Sequence, residues 1–129
     1  MSNIAVQREY EAETQPTAKR KAAVKIMKGI GASSGVAIGP CRVILRSKDL
    51  GAVKKGEILV FRTASRELLP HLEGLKGLVT EVGGQLTITA HYARLNEIPH
   101  VAGAADVMGT VTDGQVIRID GSKGTVSLL

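Results

Sequence analysis

Aromatic residues, cysteine and long apolar runs are scarce in this chain. Only 2% of its 129 residues are aromatic, so Val, Ile, Leu and Ala must build any core. A single cysteine, Cys41, excludes an internal disulfide and a cysteine-based zinc site, and we expect it to be a small core residue. The sequence has no run of about 18 apolar residues and no signal-peptide pattern, so we expect a cytoplasmic protein without membrane contact.

Acidic residues are missing from one segment, and this explains most of the net charge of +5. Residues 18–28 carry five basic side chains and no acidic one, whereas 11 basic and 9 acidic side chains follow from Gly29 onward. A nucleic-acid-binding arm is one interpretation, but the run is short and has almost no aromatic rings to stack on bases. A solvated tail or linker is the preferred interpretation, and nucleic acid is not the expected partner.

The sequence pattern divides the chain near residue 23. Residues 1–23 mix Glu, Gln, Thr and Lys without sustained periodicity, which predicts a flexible polar and basic tail. Within it, Ile4, Val6 and Tyr10 are the residues suited to contact a folded domain. Residues 24–129 show short apolar runs separated by glycine turns, which predicts one domain.

Short strands dominate the predicted domain. They are expected at 24–27, 36–38, 42–46, 57–61, 77–82, 101–102, 115–119 and 125–129. Two brief helices are expected, one starting at the N-cap Ser65 and limited by Pro70 and Gly74, and one over residues 87–95.

Two glycine-containing stretches are predicted as breaks between strands. The run Gly29–Gly35 is expected to be a loop, and Gly39-Pro40 a turn or bulge. Gly29 and Gly31 do not start a dinucleotide fingerprint, because Ser34 occupies the place of its third glycine. They are expected to belong to the opening turn of the domain.

The most informative segment is residues 81–103, EVGGQLTITAHYARLNEIPHVAG. It resembles the signature of the phosphohistidine swivelling (mobile) domain of phosphoenolpyruvate-utilising enzymes, such as pyruvate phosphate dikinase, phosphoenolpyruvate synthase and enzyme I. That signature runs roughly G-G-x-x-[ST]-H-A-A-x-x-A-R-x-x-x-I-P. The matching residues are Gly83, Gly84, Thr87, Ala90, Ala93, Arg94, Ile98 and Pro99.

The resemblance extends over residues 27–129, through GIGASSGVAIGPCRVI, EILVFRTAS and DGQVIRIDGSKGTVSLL. It implies an α/β fold, namely a compact β/β/α swivelling phosphohistidine-type domain with short strands and two or three short helices. The strands would form a sandwich or barrel-like layer flanked by helices.

One residue departs from the signature at the position that matters most for its chemistry. Where the family carries the histidine that accepts the phosphoryl group, this chain has Ile88, which has no lone pair for nucleophilic attack. Ile88 is expected to extend an apolar helix face with Tyr92 and Leu95. His91 is an alternative acceptor, but it lies about 4.5 Å farther along the helix axis. The other interpretation of His91 is a surface or half-buried structural histidine.

Three residues before this helix are candidates for a phosphate-binding loop, as the resemblance implies. Gly83, Gly84 and Thr87 precede a helix N-terminus, whose free N–H groups suit a phosphate. The alternative is a tight strand-to-helix connection without a ligand, in which Thr87 caps the helix. Arg94 is expected to be a solvated charge or to form a salt bridge.

No metal or cofactor is expected. His71 and His100 have no acidic residue at metal-ligand spacing, and both are predicted to be structural or solvent-facing.

Three functions remain open from the sequence. In the first, the chain is a stand-alone swivelling domain without phosphoryl transfer of its own, a binding or regulatory module or subunit for a separate nucleotide-binding or phosphoenolpyruvate-binding protein. In the second, it is an active phosphocarrier subunit of a split enzyme, with His91 as a shifted acceptor. The third is nucleic-acid binding through residues 18–28. Whether the chain is an enzyme stays open.

Overall fold

The computed structural model of the protein describes residues 25–129, so the predicted tail at residues 1–23 lies outside the described residues. The described part is a mixed α/β domain of short strands with few, short helices. The strands are β1 (Ile26–Lys28), β2 (Ile30–Ser33), β3 (Val36–Val43), β4 (Ile58–Thr63), β5 (Gly77–Val82), β6 (His100–Ala102), β7 (Val116–Asp120) and β8 (Thr125–Leu128). The helices are α1 (Ile88–Leu95), α2 (Val107–Thr110) and two 3-10 helices, Ser47–Ala52 and Arg66–His71.

The eight strands within residues 25–129 belong to one sheet in the order β1-β8-β7-β3-β4-β5-β6-β2. We call β1, β8, β7 and β3 the antiparallel half, because each neighbouring pair among them is antiparallel. We call β4, β5 and β6 the parallel half; β3 joins it through a parallel pairing with β4, and β2 pairs antiparallel with β6. Since β1 and β2 are separated by Gly29 alone, the order starts and ends on one stretch of chain and the sheet folds back on itself.

The alternation of inward and outward side chains produces two apolar layers. The first lies inside the folded sheet and has members from both halves, such as Met27 and Ile119 of the antiparallel half and Val60 and Val79 of the parallel half. The second lies between the parallel half and the helices and includes Leu59, Phe61, Leu68, Leu78 and Ala93. Aliphatic residues fill both layers, as the shortage of aromatic residues predicts, and Cys41 is a core residue.

The predicted loop at Gly29–Gly35 is wrong, because β2 occupies Ile30–Ser33. Its glycines serve a close crossing of backbones rather than a turn. A Cβ atom on Gly31 would collide with the carbonyl oxygen of Gly121, and one on Gly124 would lie 2.7 Å from the backbone nitrogen of Gly31. We call Gly29, Gly31, Gly121 and Gly124 the glycine crossing; the Gly29 N–H donates to the Gly124 carbonyl there at 2.7 Å.

The predicted break at Gly39-Pro40 is also wrong, since β3 runs continuously from Val36 to Val43. Proline fits because its missing N–H is not needed. At Pro40 the strand pairs only with β7, through Val116, and its pairing with β4 begins one residue later at Cys41.

The helix predicted from Ser65 is a 3-10 helix, and Ser65 makes no capping bond to it. The Ser65 hydroxyl instead donates to the Glu67 carboxylate at 3.0 Å. Helix α2 has no counterpart in the sequence prediction, because its four residues are too few for a periodic pattern. The other predicted strands and the helix at 87–95 are confirmed to within a few residues.

Candidate functional site

The loop Gly83–Thr87 joins the end of β5 to the start of α1. Thr87 is the N-cap of that helix, as the sequence predicts, and its hydroxyl oxygen accepts the Ala90 N–H at 3.1 Å. The same hydroxyl donates to the Gly84 carbonyl at 3.2 Å. Because Thr87 Oγ1 already serves as donor and acceptor, the groups best placed to meet a ligand are the N–H groups of Ile88 and Thr89, at the positive end of the helix dipole.

The two glycines of this loop differ in their surroundings. Gly83 has a φ of +141°, and a Cβ atom there would lie 2.7 Å from the Cβ of Ala64. Gly84 has no positive φ, and a Cβ atom on it would have no neighbour within 4 Å. Gly83 is therefore required by the fold, whereas packing does not explain Gly84.

Helix α1 packs through its small residues and turns its large apolar residues outward. Ala90 is fully buried in a cluster with Ala32 of β2 and Ala102 of β6. The hydroxyl of the buried Thr89 donates to the Ser65 carbonyl at 2.8 Å. The large side chains lie on another face, where Ile88 is half-buried and Tyr92 and Leu95 are 41% and 63% exposed. The predicted apolar face of Ile88, Tyr92 and Leu95 exists, but it faces solvent.

More apolar side chains surround the start of this helix. Leu86 is 99% exposed at the tip of the loop. Ile30, Gly84, Gln85 and Thr87 line a shallow, open depression together with Leu86. We call the side chains of Ile30, Leu86, Ile88, Tyr92 and Leu95 the site surface. Sequence reasoning singled out Ile88 but missed Ile30 and Leu86, because an isolated apolar residue beside polar ones gives no periodic signal.

His91 does not belong to the first turn of the helix. Its ring is exposed and lies edge-on against the ring of Tyr92, with the two ring centres 5.5 Å apart. Its backbone N–H makes the first intrahelical bond, to the Thr87 carbonyl at 3.1 Å. The structure thus places His91 at the surface, within reach of a partner but one turn beyond the free N–H groups.

Arg94 holds the loop in place. Its Nη1 donates to the carbonyls of Ala32 at 2.9 Å and Gln85 at 3.0 Å. The Gln85 amide adds a bond to the Gly31 carbonyl at 3.0 Å. Arg94 is exposed, as expected for a solvated charge, and its guanidinium also links α1, the loop and β2.

His100 is fully buried beneath this site and is structural rather than solvent-facing. Its Nε2 lies 3.2 Å from the Thr80 hydroxyl, and its Nδ1 has no hydrogen-bond partner among the described residues. Burial, helped by the nearby charge of Arg94, lowers the pKa of His100 from 6.5 to about 4. The imidazole is therefore neutral at pH 7. His71 lies in the 3-10 helix Arg66–His71 and is half-buried.

Neither a metal cluster nor a membrane helix is found in the described part of the chain. Between residues 25 and 129, no three His, Cys, Asp or Glu side chains lie together in a way that could hold a metal ion. Over the same residues no helix has the length and apolar character needed to cross a bilayer.

Comparison with known sequences shows which family matches this chain. The family described as PEP-utilising enzyme, mobile domain, matches residues 53–124, which is more than half of the chain. A probable phosphoenolpyruvate synthase from Archaeoglobus fulgidus is 33% identical over 119 residues, covering 92% of this chain and 15% of that protein. A rifampicin phosphotransferase from Bacillus cereus is 40% identical over 101 residues, covering 78% of this chain and 12% of that protein. The chain thus spans only a small part of the length of these relatives.

Solved structures agree with the sequence relatives. Enzyme I, determined by NMR, superposes with a TM-score of 0.53 and 30% identity over 60% of this chain and 32% of that one. Aconitase X from Thermococcus kodakaraensis has the same fold, with a TM-score of 0.64 at 22% identity over 81% of this chain and 98% of that one. On the match over residues 53–124, the chain belongs to the mobile-domain family of phosphoenolpyruvate-utilising enzymes.

Proposed function

We propose that this domain is a binding or regulatory module that does not itself carry a phosphoryl group. It would act on a separate partner that binds a nucleotide or phosphoenolpyruvate. In this proposal Ile88 occupies the place of the family's phospho-acceptor histidine, and the site surface is the part that contacts the partner.

The observation that carries the proposal is the chemistry at the start of α1. The residue that presents its side chain there is Ile88, which offers no nucleophile. The site surface around Ile88 is apolar, and the side chain of Leu86 is almost completely exposed to water. Exposed apolar side chains on one part of a surface are typical of protein contact sites. Gly83 and Thr87 form a helix start of the kind that the resemblance associates with phosphate, and the first turn of this helix carries Ile88 where the resemblance places the phospho-acceptor histidine.

The test compares the wild type with Ile88→His in the presence of a phosphoenolpyruvate- or ATP-dependent phosphotransferase of this family. We expect no acid-labile phosphate on the wild type and a gain of such phosphate on Ile88→His. Because Ile88 is only half-buried, the imidazole should cost little stability, on the order of 1 kcal/mol. Titration of the same partner should show binding of the wild type and weaker binding of Leu86→Ser.

His91→Ala is the matched control for the labelling. If the wild type is labelled as strongly as Ile88→His, and His91→Ala removes that label, the proposal is wrong. If no family member binds the wild type in the titration, the docking part of the proposal is wrong as well.

The second candidate function is that of an active phosphocarrier subunit with His91 as acceptor. It is favoured by the exposure of the His91 ring beside the apolar rim of the site. A ring nitrogen of His91 would attack the phosphorus of phosphoenolpyruvate, forming an N–P bond. The enolate of pyruvate would leave and take up a proton. The labelling experiment above separates this function from the first.

A further inference from the structure

The outward side of the antiparallel half is an unusually apolar sheet surface. Strand β3 alternates between exposed and buried residues, so Val36 and Ile38 point away from the core. Ile26 and Val116 do the same on β1 and β7, and these four side chains are between 46% and 57% exposed. Pro40 and Leu129 are exposed beside them. We call these six residues the outer face.

The two halves of the sheet differ in what covers them. The outward side of the parallel half is covered by α1 and the 3-10 helices, which enclose the second apolar layer. Among residues 25–129, no helix packs on the outer face of the antiparallel half. Val36, Ile38 and Val116 are exposed on the paired strands β3 and β7, whereas Ile26 lies on β1, with β8 between. Monomeric proteins rarely leave such a group of apolar side chains uncovered.

The chain outside the described residues starts beside this surface. The carbonyl of Lys25 accepts the Leu128 N–H at 2.9 Å, so the chain enters the sheet at β1, which is at one end of the strand order of residues 25–129. Residues 14–24 can span up to about 36 Å when extended. The four strands of the antiparallel half are only about 15–20 Å wide. The residues before position 14 can therefore reach any strand of the outer face.

The composition of that preceding segment complements the outer face. Residues 4–13, IAVQREYEAE, contain three large apolar side chains, Ile4, Val6 and Tyr10, and have one basic and three acidic residues. Basic side chains lie beside the outer face, namely Lys28 on β1 and Arg118 of β7, which pairs with Ile38. The carboxylate of Asp120, which pairs with Val36, already accepts the N–H groups of Ser122 and Lys123 at 2.9 Å.

We propose that residues 4–13 of this chain bind the outer face, with Ile4, Val6 and Tyr10 on its apolar side chains and the glutamates near Lys28 and Arg118. A second copy of the chain is a poorer occupant, because two such faces would bring Arg118 and Lys28 of each copy against like charges. The inference is independent of the proposed function, since it concerns the side of the sheet that α1 does not cover.

Paramagnetic relaxation in NMR tests this with the full-length chain. A spin label on Ser2→Cys reports the position of the N-terminal segment. The native Cys41 should not react, because it is 1% exposed and burial raises the pKa of its thiol. We expect the label to remove most of the methyl signal intensity of Val36, Ile38 and Val116. The methyl signals of Leu69 and Leu95, on the helical side of the domain, should keep their intensity.

Two charge-matched double variants complete the design. Ile4→Asp with Val6→Asp should restore the methyl signals of the outer face, whereas Ala5→Asp with Gln7→Asp adds the same charge and should leave them broadened. Equal broadening on both sides of the domain, or none, would overturn the proposal. A further experiment mixes spin-labelled molecules with separate isotope-labelled ones. If the methyl signals of the outer face lose intensity in that mixture too, a second copy of the chain occupies the face, and the proposal is wrong.

Discussion

The glycine crossing and the loop Gly83–Thr87 are both built on small residues, but they differ in what surrounds those residues. At the crossing, every glycine faces another backbone: a Cβ atom on Gly121 would overlap the Ser33 carbonyl, and one on Gly29 the Ala102 carbonyl. In the loop, Gly83 has such a neighbour, whereas Gly84 faces open space and Leu86 extends into solvent.

This difference distinguishes residues that the fold requires from residues whose presence packing does not explain. Where backbones cross, glycine is fixed by the space available, since the closing of the sheet at β1 and β2 brings two main chains into contact. At Gly84, Leu86 and Ile88 the fold would accept other side chains. The partner contact proposed above would explain why these residues are present.

The largest effect is expected from Gly121→Ala, which tests whether the crossing is purely structural. The new Cβ would meet the carbonyl oxygen of Ser33 and lie 3.0 Å from the backbone nitrogen of His100, so a backbone must move. We expect a loss of about 4–5 kcal/mol in the free energy of unfolding or failure to fold. Chemical denaturation measures it, with Gly109→Ala as the control, since nothing lies within 4 Å of a Cβ atom there. A Gly121→Ala protein as stable as the control would contradict the account of the crossing.

The sequence predicts the crossing less well than the elements around it. Apolar runs such as ILVF and QVIRI identify β4 and β7, because a strand buried on one or both sides requires that pattern. The prediction of a loop at Gly29–Gly35 was wrong because this strand lacks such an apolar pattern. A strand of small residues has little hydrophobic pattern, and the reason for its glycines lies about 90 residues away, at Gly121 and Gly124.

The site shows a similar division between what local sequence predicts and what it cannot. The N-cap role of Thr87 and the start of α1 follow from local sequence, and the structure has both. The roles of Arg94 and Gln85 were not predictable, because their partners Ala32 and Gly31 lie in a strand distant in sequence. The assignment of Ile88 to the acceptor position rests on the resemblance and stays a prediction.

A medium effect is expected within the loop itself, where Gly83→Ala should lose more stability than Gly84→Ala. Alanine at Gly83 combines an unfavourable φ of +141° with a contact to Ala64, so we expect a loss of about 1–3 kcal/mol. Gly84→Ala should change stability by less than about 0.5 kcal/mol. Thermal or urea unfolding of the two variants, side by side, measures the contrast. Equal losses would mean that packing explains both glycines, and the case for a functional Gly84 would end.

The last effect, which is no larger than that at Gly83, concerns the buried pair of His100 and Thr80 that lies between the two regions. The backbone nitrogen of His100 adjoins Gly121, and its side chain meets the Thr80 hydroxyl, which in turn lies 3.5 Å from the Cβ position of Gly83. Because burial lowers the pKa of His100 from 6.5 to about 4, the folded protein binds this proton less tightly than the unfolded chain does. The stabilisation is complete above pH 6.5 and is lost as the pH falls toward 4. Between pH 7 and pH 5 we expect the free energy of unfolding to fall by about 2 kcal/mol from this group.

Measurement at pH 5 and above largely keeps Glu57 and Asp120 out of this comparison, since their pKa values are lowered from the ordinary values of 4.5 and 3.8. Urea unfolding at pH 7 and pH 5 should show the loss in the wild type and a smaller one in His100→Val, which cannot titrate at this position. If both proteins lose the same stability, His100 does not control the pH dependence. If amide exchange at pH 5 increases first in β6 and in the loop Gly83–Thr87, while the crossing stays protected, the two regions are separable in stability as well as in packing. Exchange that rises together at Gly121, Gly124 and the loop would instead show that the crossing and the site open as one unit.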